Sequence, residues 1–296
     1  MRPIAVILNS HSGAGKSEAA RKRIGELCRE AGRDVEITAA GGGEELRRAV
    51  AAAIAAEPPA IVAAGGDGTV CSVADALAGR DLPLGVLPLG TLNHFAKDVG
   101  LPAGLDESVR VVLAGHTERV DVGEVNGRVF LNNTSLGLYP LIVRQRAQHR
   151  VHGPAKWIVA AFAALQEIRR HREITVRIVI DGKETVRRTP IVFVGNNRYH
   201  AGGRDLGSRE SLQSGHLAIY VVKGRGRRHL LHLAAKMLAG IGYRDELEVV
   251  LTDAATIEAG PSRIELAVDG ELEHFDAPLE YRIKPGALRV LVPRES

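Results

Sequence analysis

The sequence predicts an α/β N-terminal domain, Rossmann-like, with a mostly parallel sheet and helices on both faces, joined to a C-terminal antiparallel β-sandwich. Three observations predict it. Over about the first 115 residues, apolar runs alternate with helical stretches. Loops rich in Gly, Ser or Thr follow three of those runs, where open α/β sheets place their ligands. After Thr117 the rhythm shifts to short alternating strands divided by turn dipeptides.

In order, Ile4–Leu8 is an apolar strand and Lys16–Gly32 a helix. Val35–Thr38 is short and β-branched, and Glu44–Ala56 is an Ala-rich helix. Pro59–Ala64, Thr69–Ala78, Leu84–Leu87 and Leu92–Val99 continue the strand and helix alternation. Beyond Thr117, Asn126-Gly127 and Asp181-Gly182 mark two hairpins. Leu217–Val222, Glu246–Leu251, Thr256–Glu258, Arg263–Val268 and Leu279–Ile283 read as further strands. Pro154–His171, with Pro154 at its first position, and Arg227–Leu238 read as helices, and the basic stretch after Tyr139 as a mobile loop. The expected domains are residues 1–120, to which 285–296 returns, and 121–284.

The chain has 296 residues, enough for two cores. At 45% apolar and 25% charged it has the balance of a soluble globular protein. No apolar run approaches the roughly 20 residues that span a bilayer. Two cysteines, Cys28 and Cys71, make neither a disulfide framework nor a zinc spacing, so a reducing, cytoplasmic location is expected. A net charge of +4 favours anionic partners, while 4% aromatic residues argues against a single-strand nucleic-acid surface, so no nucleic-acid partner is expected.

The loop Ser10-His11-Ser12-Gly13 lies in "AVILNSHSGAGKS", which ends in the Gly15-Lys16-Ser17 tail of a P-loop but carries Ser10 where that motif requires glycine. Lys16 is either a phosphate contact or the first turn of a solvated helix. "AIVAAGGDGTV" delivers Gly65, Gly66, Asp67, Gly68 and Thr69 from a buried strand to a helix start. There, backbone N–H groups approach an anion closely. Asp67 can hold a metal-bound nucleotide, and Thr69 can cap the helix or meet a phosphate. The plain alternative is a tight Gly-Gly-Asp-Gly turn. "GVLPLGTLNHFAKDVGLP" brings Gly90, Thr91 and Asn93 to another helix start.

Taken together, Asn9 to Gly13, Gly65–Thr69, Pro88–Ala96 and Asp269-Gly270-Glu271 resemble, in order, the motifs of the diacylglycerol kinase catalytic family, which includes soluble bacterial lipid kinases and sphingosine kinases. The resemblance covers nearly the whole chain. It implies that the opening loop is a nucleotide loop and that Asn9, Ser10, His11, Ser12, Gly13, Thr38, Gly65, Gly66, Asp67, Gly68, Thr69 and Thr91 line ATP. Thr38 is expected just after the second strand, and Thr91 to double as a helix N-cap. It implies Mg²⁺ carried with ATP and organised by Asp67, and Glu271 as the base that takes the proton of a lipid hydroxyl, with diacylglycerol the default acceptor. Without the resemblance, Asp269-Gly270 is a plain hairpin turn and Glu271 a solvated residue. Asp269 is expected to set the turn.

Two positions depart from the family pattern. His94 stands where the family has Asp. Ser214 stands where many bacterial members carry an Asp that helps bind a structural Mg²⁺, and serine is a weak, neutral ligand. Were such a metal held, Ser211, Ser214 and His216 mark its place. The Pro154 helix, with Trp157, Ala161, Leu165 and Ile168 on one face, is either a lid over a lipid groove or a helix packed on the sandwich. "KGRGRR", Lys223–Arg228, is a peripheral contact for an anionic membrane or a solvated loop. A homodimer is left open. Two other readings stand beside the lipid kinase: an NAD-kinase-like enzyme with a soluble acceptor, against which Asn132-Asn133 counts, and a nucleotide-binding regulator without catalysis.

Overall fold

The structure, a computed structural model, describes residues 2–10, 14–148, 173–200, 208–224, 226–238 and 244–294. It divides into two compact units, residues 1–122 with 285–296, and residues 123–284.

The first unit is the α/β domain. Its strands β1 (Ile4–Asn9), β2 (Val35–Ala40), β3 (Ile61–Gly65) and β4 (Leu84–Pro88) form a parallel sheet in the order β2-β1-β3-β4. Helices α1 (Ala14–Glu30), α2 (Glu44–Ala55), α3 (Asp67–Leu77), α4 (His94–Asp98) and α5 (Leu105–Ala114) intervene. The central strands β1 and β3 are apolar throughout, save Asn9 at the end of β1, because both faces are covered. On β1, Ile4, Val6 and Leu8 share a core with Ile24 and Leu27 of α1 and Val109 and Val112 of α5. The alternate residue Ile7 is equally buried, on the side where α2 packs against α3. Arg23 of α1 meets Asp106 of α5 at 2.6 Å. That guanidinium holds the Asp106 carboxyl below the usual carboxylate range.

Helix α4 is shorter than the sequence suggests, starting at His94 rather than Leu92. Asn93 adopts a left-handed conformation, φ 49° and ψ 51°, so the helix cannot extend back through it.

The second unit is the antiparallel sandwich. One sheet has the order β12-β11-β10-β7-β14-β15. Its strands are β7 (Asn133–Gly137), β10 (Ile191–Asn196), β11 (Leu217–Val222), β12 (Leu247–Thr252), β14 (Arg263–Val268) and β15 (Glu271–Asp276). In the other, β13 (Ala254–Ala259) lies between β8 (Ile174–Ile180) and the start of β16 (Leu279–Leu291), and β8 pairs with β9 (Lys183–Thr189). The end of β5 (Thr117–Val125) turns at Asn126-Gly127 into β6 (Arg128–Phe130). Helices α6 (Leu138–Gln148) and α7 (Gly226–Leu238) and a short 3-10 helix (Arg244–Glu246) complete the described elements.

Asn126, Asp181 and Asp269 have φ of 45°, 50° and 48°, each followed by a positive-φ glycine. These are the primed turns that match the twist of antiparallel strands. Val192, Val194, Ile219, Leu266, Ile257 and Tyr281 fill the space between the sheets. The Tyr281 hydroxyl, fully buried, reaches Thr134 Oγ1 at 2.9 Å.

The segment after Tyr139, expected to be a mobile loop, is helical through Gln148. Strand β16 runs eight residues past its expected end at Ile283, through Pro285-Gly286, and its Val290 pairs in parallel with Leu84 of the first unit's sheet. Leu288, Val290 and Leu291 are buried there. The Pro154–His171 helix lies outside the described residues. Among the described residues no helix is long and apolar enough to cross a membrane.

Candidate functional site

In the first unit the candidates gather where β1, β3 and β4 end. Strand β3 stops at Gly65, Gly66 caps α3 in an extended conformation, and Asp67 is the first residue of the helix. A carboxylate there is favoured by the helix dipole. Thr69, almost completely buried, accepts a hydrogen bond from Asn9 Nδ2 at 2.8 Å, tying the end of β1 to the start of α3. A Cβ on Gly65 would sit 2.5 Å from Thr69 Oγ1, so the close approach of strand and helix requires glycine.

The loop after β4 lies against this turn. Leu89 N donates to Gly65 O at 3.0 Å, and a Cβ on Gly90 would stand 2.5 Å from Gly66 Cα. Asn93 fixes that loop from within. Its Oδ1 accepts from Gly90 N at 3.1 Å, and its Nδ2 donates to Gly90 O at 3.0 Å and Pro88 O at 3.3 Å. The result is a cradle of two glycine-containing loops with backbone groups at its surface and one carboxylate at its edge. Such a donor set suits a phosphate chain with its cation.

Asn9, Gly65, Gly66, Asp67 and Thr69 are thus neighbours, and Gly68 follows in the same turn. Ser10 is exposed at the end of β1, its N–H donating to Ala40 O at 2.9 Å. Thr91 is exposed in the second loop but does not cap α4, because the cap position is Asn93. Thr38 does not follow β2; it lies within it, paired with Ile7, and the strand continues to Ala40. His11, Ser12 and Gly13 lie outside the described residues, as does the side chain of Lys16.

In the second unit Glu271 opens β15, directly after the Asp269-Gly270 turn, and pairs with Val268 across the hairpin. Asp269 does more than set the turn. Its Oδ2 accepts from Leu131 N at 2.8 Å, and its Oδ1 accepts from Asn132 N at 2.7 Å and Asn133 N at 3.0 Å. Asp269 N in turn donates to Asn133 O at 2.8 Å. The hairpin tip is therefore bolted to the segment leading into β7. The expected result for Asp269→Ala is a loss of about 3 kcal/mol, because three backbone donors lose a charged acceptor. Thermal unfolding checks it, with the midpoint falling by roughly 6–12 °C.

The Glu271 carboxyl is raised above the ordinary carboxylate range, chiefly by burial against the protein, although one side of the residue meets solvent. Arg128 pulls the other way, and the negative charges of Glu273 and Asp269 add to the rise. Arg128 Nε lies 3.1 Å from Glu273 Oε1. Sequence reasoning missed this ion pair, because 145 residues separate its members.

In the Ser211, Ser214 and His216 segment the described polar atoms are engaged with the protein. Ser214 Oγ is engaged with Asn197 Oδ1 at 2.5 Å, and Ser211 Oγ accepts from Gln213 N at 3.0 Å. The His216 carbonyl accepts from Asn197 N at 3.0 Å. Among the described residues no group of three or more His, Cys, Asp or Glu side chains is placed to hold a metal. Among the described residues a side-chain cation lies nearby: the buried Arg209 donates through Nη1 to Leu131 O at 2.6 Å and through Nη2 to Asn132 Oδ1 at 3.4 Å. Adding EDTA to the nucleotide-free protein is expected to leave its thermal midpoint unchanged, as scanning fluorimetry with and without Mg²⁺ will read.

Two family models match this chain: the diacylglycerol kinase catalytic domain over residues 3–125, and the YegS C-terminal NAD kinase beta sandwich-like domain over residues 141–292. A diacylglycerol kinase of Mycobacterium tuberculosis (strain ATCC 25618 / H37Rv) is 32% identical over 240 residues, 78% of this chain and 75% of its own length. A diacylglycerol kinase of Staphylococcus aureus (strain Newman) is 27% identical over 213 residues, 70% of this chain and 66% of its own length. A crystal structure of a diacylglycerol kinase from Bacillus anthracis str. Sterne has the same fold, with a TM-score of 0.72 at 21% identity, covering 99% of this chain and 97% of that one.

Proposed function

Because the chain belongs to the diacylglycerol kinase catalytic-domain family, a family of kinases, we propose that it transfers the γ-phosphoryl group of ATP to a lipid hydroxyl, with diacylglycerol as the acceptor. The observation that carries this reading is Glu271 at the bolted tip of the β14–β15 hairpin. Its carboxyl is held above the usual range, toward the pH at which a carboxylate makes an effective base.

In this reading the hydroxyl oxygen bonds to the γ-phosphorus as the bond from that phosphorus to the β–γ bridging oxygen breaks. The hydroxyl proton passes to Glu271, and ADP leaves. Asn9, Gly65, Gly66, Gly68 and Thr69 would hold the phosphates through backbone and hydroxyl groups, with Ser10 and Thr91 at the margin. Thr38, two residues short of the end of β2, would contact the nucleotide from the sheet edge. Asp67 would hold Mg²⁺ bound with ATP, an ion that neutralises phosphate charge. Lys223 and Arg228, exposed beside the exposed Leu231 near the start of α7, would meet an anionic membrane surface from a cytoplasmic protein. Co-sedimentation with anionic against neutral vesicles checks that contact.

The test of the whole reading is incubation with γ-labelled ATP and a panel of lipid alcohols. Label in the lipid fraction supports it. The second reading, transfer to a soluble acceptor, draws on the NAD-kinase-like description of the C-terminal match, and label on NAD alone would favour it. ATP binding without transfer to any acceptor would sink both.

A further inference from the structure

Strand β15 carries an arrangement that folding alone does not ask for. Its residues Glu271, Glu273 and Phe275 pair with Val268, Leu266 and Ile264 of β14. Directly opposed residues project to the same side of a sheet. Those three β14 side chains belong to the apolar core of the sandwich, and Phe275 packs against it. Glu271 and Glu273 thus occupy the inner row of an edge strand, where an apolar residue would be the stabilising choice. They are two residues apart, so their backbones are separated by about 7 Å along the strand. Two carboxylates that close, partly withdrawn from water, raise each other's cost of ionisation.

Among the described residues a cation, Arg128, acts on both. Arg128, on β6, places Nε 3.1 Å and 3.4 Å from the two carboxylate oxygens of Glu273, and its Nη1 donates to Val129 O at 3.2 Å. Both partners are mostly buried, with side chains 21% and 31% exposed. The charged groups acting on Glu271 are Arg128 from β6, Glu273 from its own strand and Asp269 from the turn. Asp269 is committed to three backbone donors. The adjustable balance is therefore between Arg128 and Glu273.

We propose that Arg128 and Glu273 are positioning residues for Glu271, their ion pair setting the charge beside its carboxylate and so the pH range in which it works as a base. This rests on the reading of Glu271 as the base of a lipid kinase. Removing Arg128 leaves Glu271 facing an unneutralised Glu273, so its proton is held to higher pH. Removing the charge of Glu273 takes away a repulsion and releases Arg128 toward Glu271, so the proton is lost at lower pH.

The experiment is a carboxyl-¹³C NMR titration of Glu271 in the full chain, run beside the acid limb of kcat/KM for phosphorylation of diacylglycerol in mixed micelles. Arg128→Gln is expected to move both upward by about one pH unit, and Glu273→Gln to move both downward. Arg128→Lys, which keeps the charge, is expected to restore most of the wild-type profile. A Glu271 titration that moves in neither glutamine variant overturns the proposal. So does an activity loss in both that is uniform across pH, since that is the mark of a structural role alone. If the titration moves as stated but no lipid accepts label, the kinase reading fails and the ion-pair assignment stands. If lipid is labelled and the titration stays fixed, the reverse holds.

Discussion

Glu271→Gln is expected to lower kcat for lipid phosphorylation by about 10³-fold, with little change in ATP affinity. Glutamine keeps the size and the hydrogen-bonding oxygen of the side chain but cannot take the hydroxyl proton. Glu271 opens β15 at the end of its inner row, next to the turn, where it is exposed, so no core packing is lost. The substitution also removes a carboxylate from the inner row it shares with Glu273, so stability should hold or rise slightly. The raised carboxyl of the wild type makes the same point from the other side. Stability contributed by the protonated form is present at low pH and fades as pH rises through the raised value, and the Gln variant should lack that slope. Single-turnover kinetics with saturating ATP, together with calorimetric ATP titration, separate the step from binding. A variant that retains more than a tenth of wild-type kcat would remove Glu271 from the role of base.

Gly90→Ala is expected to reduce kcat/KM for ATP by about 10²-fold. The new methyl carbon would sit 2.5 Å from Gly66 Cα and 2.6 Å from Asn93 Oδ1. Neither neighbour can step aside cheaply. Gly66 is backbone at the start of α3, and Asn93 is held by bonds to Gly90 and Pro88. The two loops must separate by a sizeable fraction of an ångström, which moves the backbone donors away from a phosphate chain. Overpacking of this kind costs about 1–3 kcal/mol. A modest fall in thermal midpoint should therefore accompany a large fall in nucleotide affinity. The matched control is Gly100→Ala, where φ is 71° but no heavy atom lies within 4 Å of the added carbon. It should lose some stability and no affinity. Equal affinity losses in the two variants would contradict the cradle.

The fold could be read from the sequence because its signals are local. The β1, β3 and β4 runs announce a sheet covered on both faces, and each Asn-Gly or Asp-Gly pair in the second half marks a turn the chain takes. The glycine cradle was legible for the same reason, since Gly65–Thr69 is a single contiguous stretch. Where the reading fell short, a tertiary or side-chain effect decided the outcome. Asn93 trimmed α4 by adopting a left-handed backbone that it stabilises with its own amide. Thr38 fell inside β2 because pairing with β1 continues to Asn9 and Ala40. Asp269 reads as a turn former, yet its carboxylate holds a segment more than 130 residues away in the chain. Arg128 and Glu273 follow no motif at all, and only the meeting of β6 with β15 identifies them.

The passage of β16 through Pro285-Gly286 has a consequence for biosynthesis. Leu288, Val290 and Leu291 complete the parallel sheet, with Val290 beside Leu84, although they are made some 200 residues after β4, the last of its other parallel strands, has been translated. The N-terminal half cannot reach its finished state as it leaves the ribosome, contrary to the usual front-to-back order. It must wait, with β4 lacking its last neighbour, until the sandwich sequence has emerged. A nascent chain arrested before Leu288 should therefore present β4 to chaperones, and release of the full chain should end that exposure.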